Sequence, residues 1–187
     1  MKEAPVLNRK AADDLLLRDI SPLSELVLVA RNPLADKLRY DWAPVKAYLK
    51  EHCKPATNNC PDNVFDLDCT HFVCHAMNKA GVFVKSPSAS CTSGLCIRVN
   101  DLAASFAASV GKYANVVQIE NHAETKEGDF CFIPSWFHLS KDHAMVLADT
   151  ASALGARVYA HTAARCGDEV VSFDGQGCVY YRIVPAS

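Results

Sequence analysis

The 187-residue sequence lacks a long apolar segment and an excess of charge of either sign. No window approaches the roughly eighteen apolar residues that a membrane helix needs, so we predict no membrane span. The formal net charge is −2, from 19 basic and 21 acidic residues, which gives no field that would collect polyanions. We therefore expect no nucleic-acid partner. Internal repeats and low-complexity tracts are also lacking, which argues against a solenoid or a long linker.

The N-terminus lacks the pattern of a secretory signal peptide. Its apolar runs are interrupted by Arg18, Asp19, Pro22 and Glu25, and no basic segment precedes an apolar stretch with a small-residue cleavage site. We expect a soluble protein that is made in the cytoplasm. If it is exported, it uses a route without a signal peptide or its leader has been removed.

Cysteine, by contrast, is abundant, with nine residues in the chain. An odd number of thiols cannot all pair with one another, so at least one is left over. Cys53 with Cys60 and Cys91 with Cys96 have loop-like spacings that could close small disulfides. Buried free thiols are equally compatible with this composition, so the sequence leaves both alternatives open.

Hydrophobic periodicity divides the chain into a helical front part and a strand-rich last third. Apolar positions at helical spacing predict helices over 13–18, 21–31, 36–52, 69–80 and 99–110. Short β-branched and aromatic runs predict strands over 116–120, 129–134, 143–149, 156–162 and 178–184. Helices followed by a small antiparallel sheet are typical of an α+β domain. We predict one domain over 1–187, with a helical extension over 1–35 and the core over 36–187.

The run FDLDCTHFVCHAM, residues 65–77, could be read as a metal cage. A zinc site would use Cys69, His71, Cys74 and His75, because thiolate and imidazole are common zinc ligands. On a helix, however, only residues three or four apart share a face, so Cys69 and His71 point in different directions. No second CxxC or HxxxH elsewhere completes a tetrahedron. The sequence therefore predicts no metal ion and no cofactor.

The same run is better read as a nucleophile at the start of a helix. Cys74 lies among apolar residues and is predicted to be an inert core thiol. Cys69 falls in the first turn, where the helix dipole favours a thiolate. A nucleophilic thiolate needs a histidine from another element as its base. His143 opens a predicted strand, and His161 lies in the next strand, where it could orient the imidazole of His143.

Four short motifs carry a resemblance to a known family. They are DCTHFV at 68–73, EGDF at 127–130, DHAMVL at 142–147 and YAHT at 159–162. In this order they resemble a bacterial amidase domain family that is similar to the NlpC-type and CHAP-type cell-wall hydrolases. The resemblance covers about residues 40–165, and His71 departs from it, because the family usually has asparagine at that position.

The resemblance implies a papain-like fold, with N-terminal helices and the nucleophile helix packed on a small antiparallel sheet. It implies that Cys69 is the nucleophile, that His143 is the general base and acid, and that His161 orients His143. The residues expected to support the helix start, the oxyanion site or the base are Asp68, Thr70 and Asp142. Trp136 and His138 precede His143 in a predicted loop, where they could either anchor the loop or line the cleft.

The function implied is that of a cysteine amidase or endopeptidase acting on stem or cross-link peptides of peptidoglycan. A small domain without a leader also resembles amidase effectors delivered by type VI secretion, or phage lytic enzymes. We therefore expect action in the periplasm of a target cell, and a cognate immunity protein is a candidate partner. Two alternatives stay open: a Cys-His toxin that deamidates or cleaves a host protein, and a non-enzymatic module stabilised by disulfides or zinc.

Overall fold

The computed structural model describes residues 28–30, 37–54, 68–86, 90–133, 143–161, 165–173 and 177–185. Within them the chain forms three α-helices and eight strands, which confirms the predicted α+β class. The helices are α1 (Trp42–His52), α2 (Cys69–Lys79) and α3 (Val99–Ser109). The strands are β1 (Leu28–Ala30), β2 (Val82–Val84), β3 (Val116–Ile119), β4 (Phe130–Ile133), β5 (His143–Leu147), β6 (Gly155–Ala160), β7 (Arg165–Ser172) and β8 (Val179–Ile183). No helix of this part of the chain is long and apolar enough to cross a membrane.

Six of the strands form one antiparallel sheet in the order β3-β8-β4-β5-β6-β7. Strands β4, β5, β6 and β7 follow one another as a meander, and the last strand, β8, enters between β3 and β4. β1 and β2 pair separately as a short antiparallel ladder. The strands of the last third of the chain thus form one sheet, and this sheet offers a surface on which helices can pack.

Side chains of the sheet alternate between two hydrophobic clusters. Ala144 and Val146 pack in the cluster that also contains the buried faces of α1, α2 and α3. Met145 and Leu147 pack in a second cluster that contains no helix residue. Because successive residues of a strand point to opposite faces, these clusters lie on the two sides of the sheet. We call them the helix face and the far face.

Aromatic contacts fix α3 to the helix face. The ring centroid of Phe106 lies 4.8 Å from that of Phe130, 5.2 Å from that of Phe132 and 5.4 Å from that of Tyr181. Phe106 is fully buried. Aromatic pairs at such distances add about 0.5–1.5 kcal/mol each beyond the burial of their surface.

The structure corrects several boundaries predicted from the sequence. Helix α1 begins at Trp42 and not at residue 36, because the side chain of Asp41 accepts a hydrogen bond from the backbone N–H of Ala43 at 3.0 Å and caps the helix. Residues 28–30, predicted to be helical, form a strand paired with β2. Strand β7 was not predicted, because this edge strand is mostly polar and exposed. The rest of the predicted extension lies outside the described residues.

Candidate functional site

Cys69 is the first residue of α2 and is 5% exposed. Its sulfur lies 3.9 Å from Oγ1 of Thr70. Asp68 occupies the N-cap position, but its side chain makes no capping hydrogen bond. The first N–H groups of a helix have no partner within the helix, and an N-cap carboxylate normally accepts from one of them. Here the carboxylate has other partners, so it does not compete for the N–H groups beside the thiol.

The partners of the Asp68 carboxylate are two histidines. Nδ1 of His71 donates to Oδ1 at 2.7 Å, and Nδ1 of His161 donates to Oδ2 at 2.6 Å. Burial raises the pKa of the Asp68 carboxyl, but the hydrogen bonds from His161 and His71 outweigh it, so the pKa lies below its ordinary value of 3.8. Asp68 is therefore a buried carboxylate that joins the start of α2 to the end of β6.

The second ring nitrogen of His161 is also bonded. Nε2 of His161 donates to the backbone carbonyl of His52, at the end of α1. A carboxylate and a carbonyl can only accept, so both ring nitrogens of His161 face acceptors. Its ring stacks on Phe72, with centroids 3.9 Å apart. No nitrogen is left to hold His143, so the structure gives His161 a different role from the predicted orienting one.

The register of the sheet places His143 near this network. Val146 of β5 pairs with Tyr159 of β6. Continuing that antiparallel register by two residues sets His161 opposite Ala144, the neighbour of His143. Since His161 is bonded to Asp68, the start of α2 lies at the end of the sheet where His143 begins β5. The structure thus brings the predicted nucleophile and the predicted base to one end of the sheet.

The alternation of side chains along β5 directs His143 away from the helix face. His143 pairs with Ile133, whose side chain packs on the far face. Directly paired residues of antiparallel strands project to the same side. Ala144 projects toward the helices, so the half-buried His143 would have to reach Cys69 around the open end of the strand.

An open cleft begins at the thiol. Cys69 and Thr70 line a cavity of about 370 Å³ together with residues 97–101, the segment that leads into α3. Arg98, which is exposed, brings a permanent positive charge to this cleft. Neither the cleft nor Arg98 was predicted from the sequence, because only the packing of α3 against α2 brings them to Cys69.

The disulfides differ from those predicted. Cys53 is bonded to Cys166, which is 113 residues away, so the predicted pair of Cys53 with Cys60 is wrong. Cys91 and Cys96 are both free thiols, so the second predicted pair is wrong too. The sulfur of Cys96 donates to the carbonyl of Arg98 at 3.3 Å, away from Cys91. Sequence spacing did not predict the disulfide, because long-range packing decides which cysteines come together.

Cys91 instead lies beside two histidines of α2. One nitrogen of His71, one of His75 and the sulfur of Cys91 all lie within 4.8 Å of one another. Nε2 of His75 and Nε2 of His71 are 3.0 Å apart. Burial, followed by the charge of His71, lowers the pKa of His75 to about 4, so this imidazole is neutral near pH 7.

Some predicted site residues lie outside the described part of the chain; they are Cys60, Trp136, His138 and Asp142. The contact of Asp68 with His71 was not predicted, and the pairing of His71 with His75 was given no role, although the sequence contained a signal for both. Asp68 and His71 are three residues apart and His71 and His75 four apart, spacings that place side chains on one helix face. The contribution of Cys91 to that face had no local signal, because it comes from a separate segment.

Comparisons of the chain with protein-family models, with curated proteins and with solved structures gave no match. The resemblance to the amidase family is thus carried by four short motifs alone.

Proposed function

We propose that the protein is a papain-like cysteine hydrolase that cleaves amide bonds with Cys69 as its nucleophile. The observation that carries this proposal is the position of the Cys69 thiol. It stands at a helix N-terminus whose N-cap carboxylate is engaged elsewhere, and it opens into a cleft. Helix N-termini favour thiolate and supply N–H donors for an oxyanion, so one structural feature serves both needs.

The reaction is an acyl transfer in two steps. The thiolate of Cys69 attacks the amide carbonyl, and the N–H groups at the start of α2 stabilise the oxyanion. The imidazolium of His143 then protonates the departing amine, which leaves a thioester on Cys69. Water attacks the thioester while His143 accepts its proton, and release of the acid regenerates thiolate and imidazolium.

The choice of His143 rests on its place and on the bonds of the other histidines near Cys69. His161 uses both ring nitrogens for Asp68 and the carbonyl of His52. His71 uses both for Asp68 and His75. His143 begins the strand against which α2 packs, at the end of the sheet where α2 starts. The proposal requires its imidazole to reach Cys69 around the strand end.

Stem or cross-link peptides of peptidoglycan are the proposed substrate, and an antibacterial effector or lytic enzyme is the proposed setting. The order of the four motifs supports this, as does the Cys53–Cys166 disulfide, because such bonds persist in oxidising compartments such as the periplasm. Arg98 offers a guanidinium to the carboxylates of stem peptides, beside the buried carboxyl group of Asp101 in the same cleft. A cognate immunity protein belongs to the same proposal.

Digestion of purified sacculi followed by mass spectrometry of the released fragments tests the proposal. The intact protein should release fragments whose mass differences identify one amide bond, and Cys69→Ala should release none. Cys178→Ser is the matched control, because Cys178 is a free thiol of the far face. Equal release by Cys69→Ala would contradict the proposal. If sacculi stay intact while a host protein is deamidated or cleaved, the same site belongs to a toxin that acts on host proteins.

A further inference from the structure

We propose that His71, His75 and Cys91 form a binding site for a zinc-class divalent metal ion. This inference is independent of the catalytic proposal, because none of these residues has a role in the acyl transfer. It also departs from the sequence-based expectation of no metal, which considered Cys69 and Cys74 and overlooked Cys91. The three side chains come from two segments that meet at the buried side of α2.

The separations of the ligand atoms suit a tetrahedral ion. With metal–ligand bonds of about 2.0–2.3 Å, neighbouring ligand atoms of a tetrahedron lie about 3.3–3.8 Å apart. One ring nitrogen of His71, one of His75 and the sulfur of Cys91 form a triangle with no side above 4.8 Å, and the two Nε2 atoms are 3.0 Å apart. Adjustments of less than about 1.5 Å at the ligand atoms would therefore bring all three to bonding distance.

The orientation of His71 also fits a metal ligand. Metal-bound histidines commonly donate their other ring N–H to a carboxylate, which fixes the tautomer and turns the free lone pair toward the ion. Nδ1 of His71 donates to Oδ1 of Asp68 at 2.7 Å, which leaves its Nε2 directed at His75. His75 follows by one helical turn, the spacing at which two histidines can bind one ion.

The backbone around Cys91 holds its thiol in place. The N–H of Cys91 donates to the carbonyl of Leu95 at 3.0 Å, and the N–H of Gly94 donates to the carbonyl of Cys91 at 2.8 Å. Cys91 is 4% exposed. The thiol is thus presented from a fixed turn, and a metal ion would link this turn to α2.

Binding changes the protonation of two ligands. Without metal, Nε2 of His71 and Nε2 of His75 share a hydrogen bond; with metal, no hydrogen remains between them, and each ring carries its hydrogen on Nδ1 so that both Nε2 lone pairs meet the ion. The Cys91 thiol binds as thiolate and releases one proton to solvent. Three protein ligands leave the fourth position of a tetrahedron to water.

Titration with Zn²⁺ and with Co²⁺ tests the site, with Cys69→Ala as the background so that the proposed nucleophile cannot bind the ion. We expect one ion per chain by calorimetry and a thiolate-to-cobalt charge-transfer band in the near ultraviolet. Cys91→Ser should remove that band, and His75→Gln should weaken binding at least about tenfold. Cys178→Ser and His122→Gln are the matched controls and should bind as the background does.

Circular dichroism of each variant establishes that it is folded, and the half-buried His75 makes His75→Gln the milder test. Absence of binding by the folded background would overturn the inference. So would a charge-transfer band that survives Cys91→Ser, which would assign the ion to another thiol. Sacculus digestion does not enter this experiment, so a failed metal site and a failed catalytic proposal give separate results.

Discussion

The two faces of the six-stranded sheet differ in chemistry. The helix face carries the Asp68 carboxylate with its two histidines, and beside it the Cys69 thiol. The far face is lined by apolar residues such as Met145 and Leu147, with the thiols of Cys131 and Cys178 among them, and the half-buried His143 projects to this side at the open end of β5. Buried polar groups are costly unless they are bonded, so their concentration on one face indicates where the fold maintains a site.

The largest expected difference between the faces is in activity. Cys69→Ala should lower the rate of amide cleavage by about 10³-fold or more, because it removes the atom that forms the thioester. Cys131→Ala, the matched change on the far face, should leave the rate within about twofold of the wild type. Rates of fragment release from sacculi measure both. A loss of equal size in Cys131→Ala would show that the faces do not differ in function.

His143 and His161 sharpen the comparison, because they lie at the same end of the sheet with different proposed roles. His143→Ala should lower the rate about 10²- to 10⁴-fold and leave the melting temperature nearly unchanged, as expected for a general acid and base. His161→Asn should instead lower the melting temperature, because the buried Asp68 carboxylate loses one of its two imidazole partners. If His143→Ala keeps full activity and a folded His161→Asn loses it, His161 and not His143 is the general acid and base.

Asp68 tests the polar network of the helix face against an exposed ion pair. Asp68→Ala should lower the free energy of unfolding by about 1–3 kcal/mol for each of the two buried ring N–H groups, of His71 and His161, that lose their acceptor. Glu169→Ala removes the exposed ion pair with Arg165, whose Nη1 lies 2.7 Å from Oε2, and should cost at most about 1 kcal/mol. Urea unfolding measures both, and equal losses would contradict a special role for Asp68.

Lowering the pH should reduce the free energy of unfolding by less than Asp68→Ala does, because acid protonates the Asp68 carboxylate. The pKa of Asp68 is lower in the folded protein than its ordinary value of 3.8. Its stabilising effect is therefore complete above about pH 5 and is lost as pH falls through the folded pKa. The urea midpoint should fall between pH 5 and pH 3 more steeply in the wild type than in Asp68→Ala. Parallel curves would show that Asp68 does not carry this acid sensitivity.

Local sequence patterns predicted most of the helices and strands, but few of the long-range bonds at the site. Helices α2 and α3 and five strands of the sheet follow from apolar spacing, which acts over a few residues. The bond between Asp68 and His161 joins residues 93 apart, and the disulfide joins residues 113 apart. Neither can be read from spacing, because only the packed sheet brings α1, α2, β6 and β7 together.

Alkylation of the native protein with iodoacetamide tests the central claim most directly. If accessibility alone governs the reaction, Cys178 should be modified first, because it is half-buried while the other five free thiols of the described residues are buried. If Cys69 is a thiolate nucleophile in a cleft, it should be modified first although it is 5% exposed. Peptide mapping after a brief reaction at neutral pH shows which of the two thiols is modified first. Our account predicts the label on Cys69, and a label on Cys178 with Cys69 unmodified would contradict it.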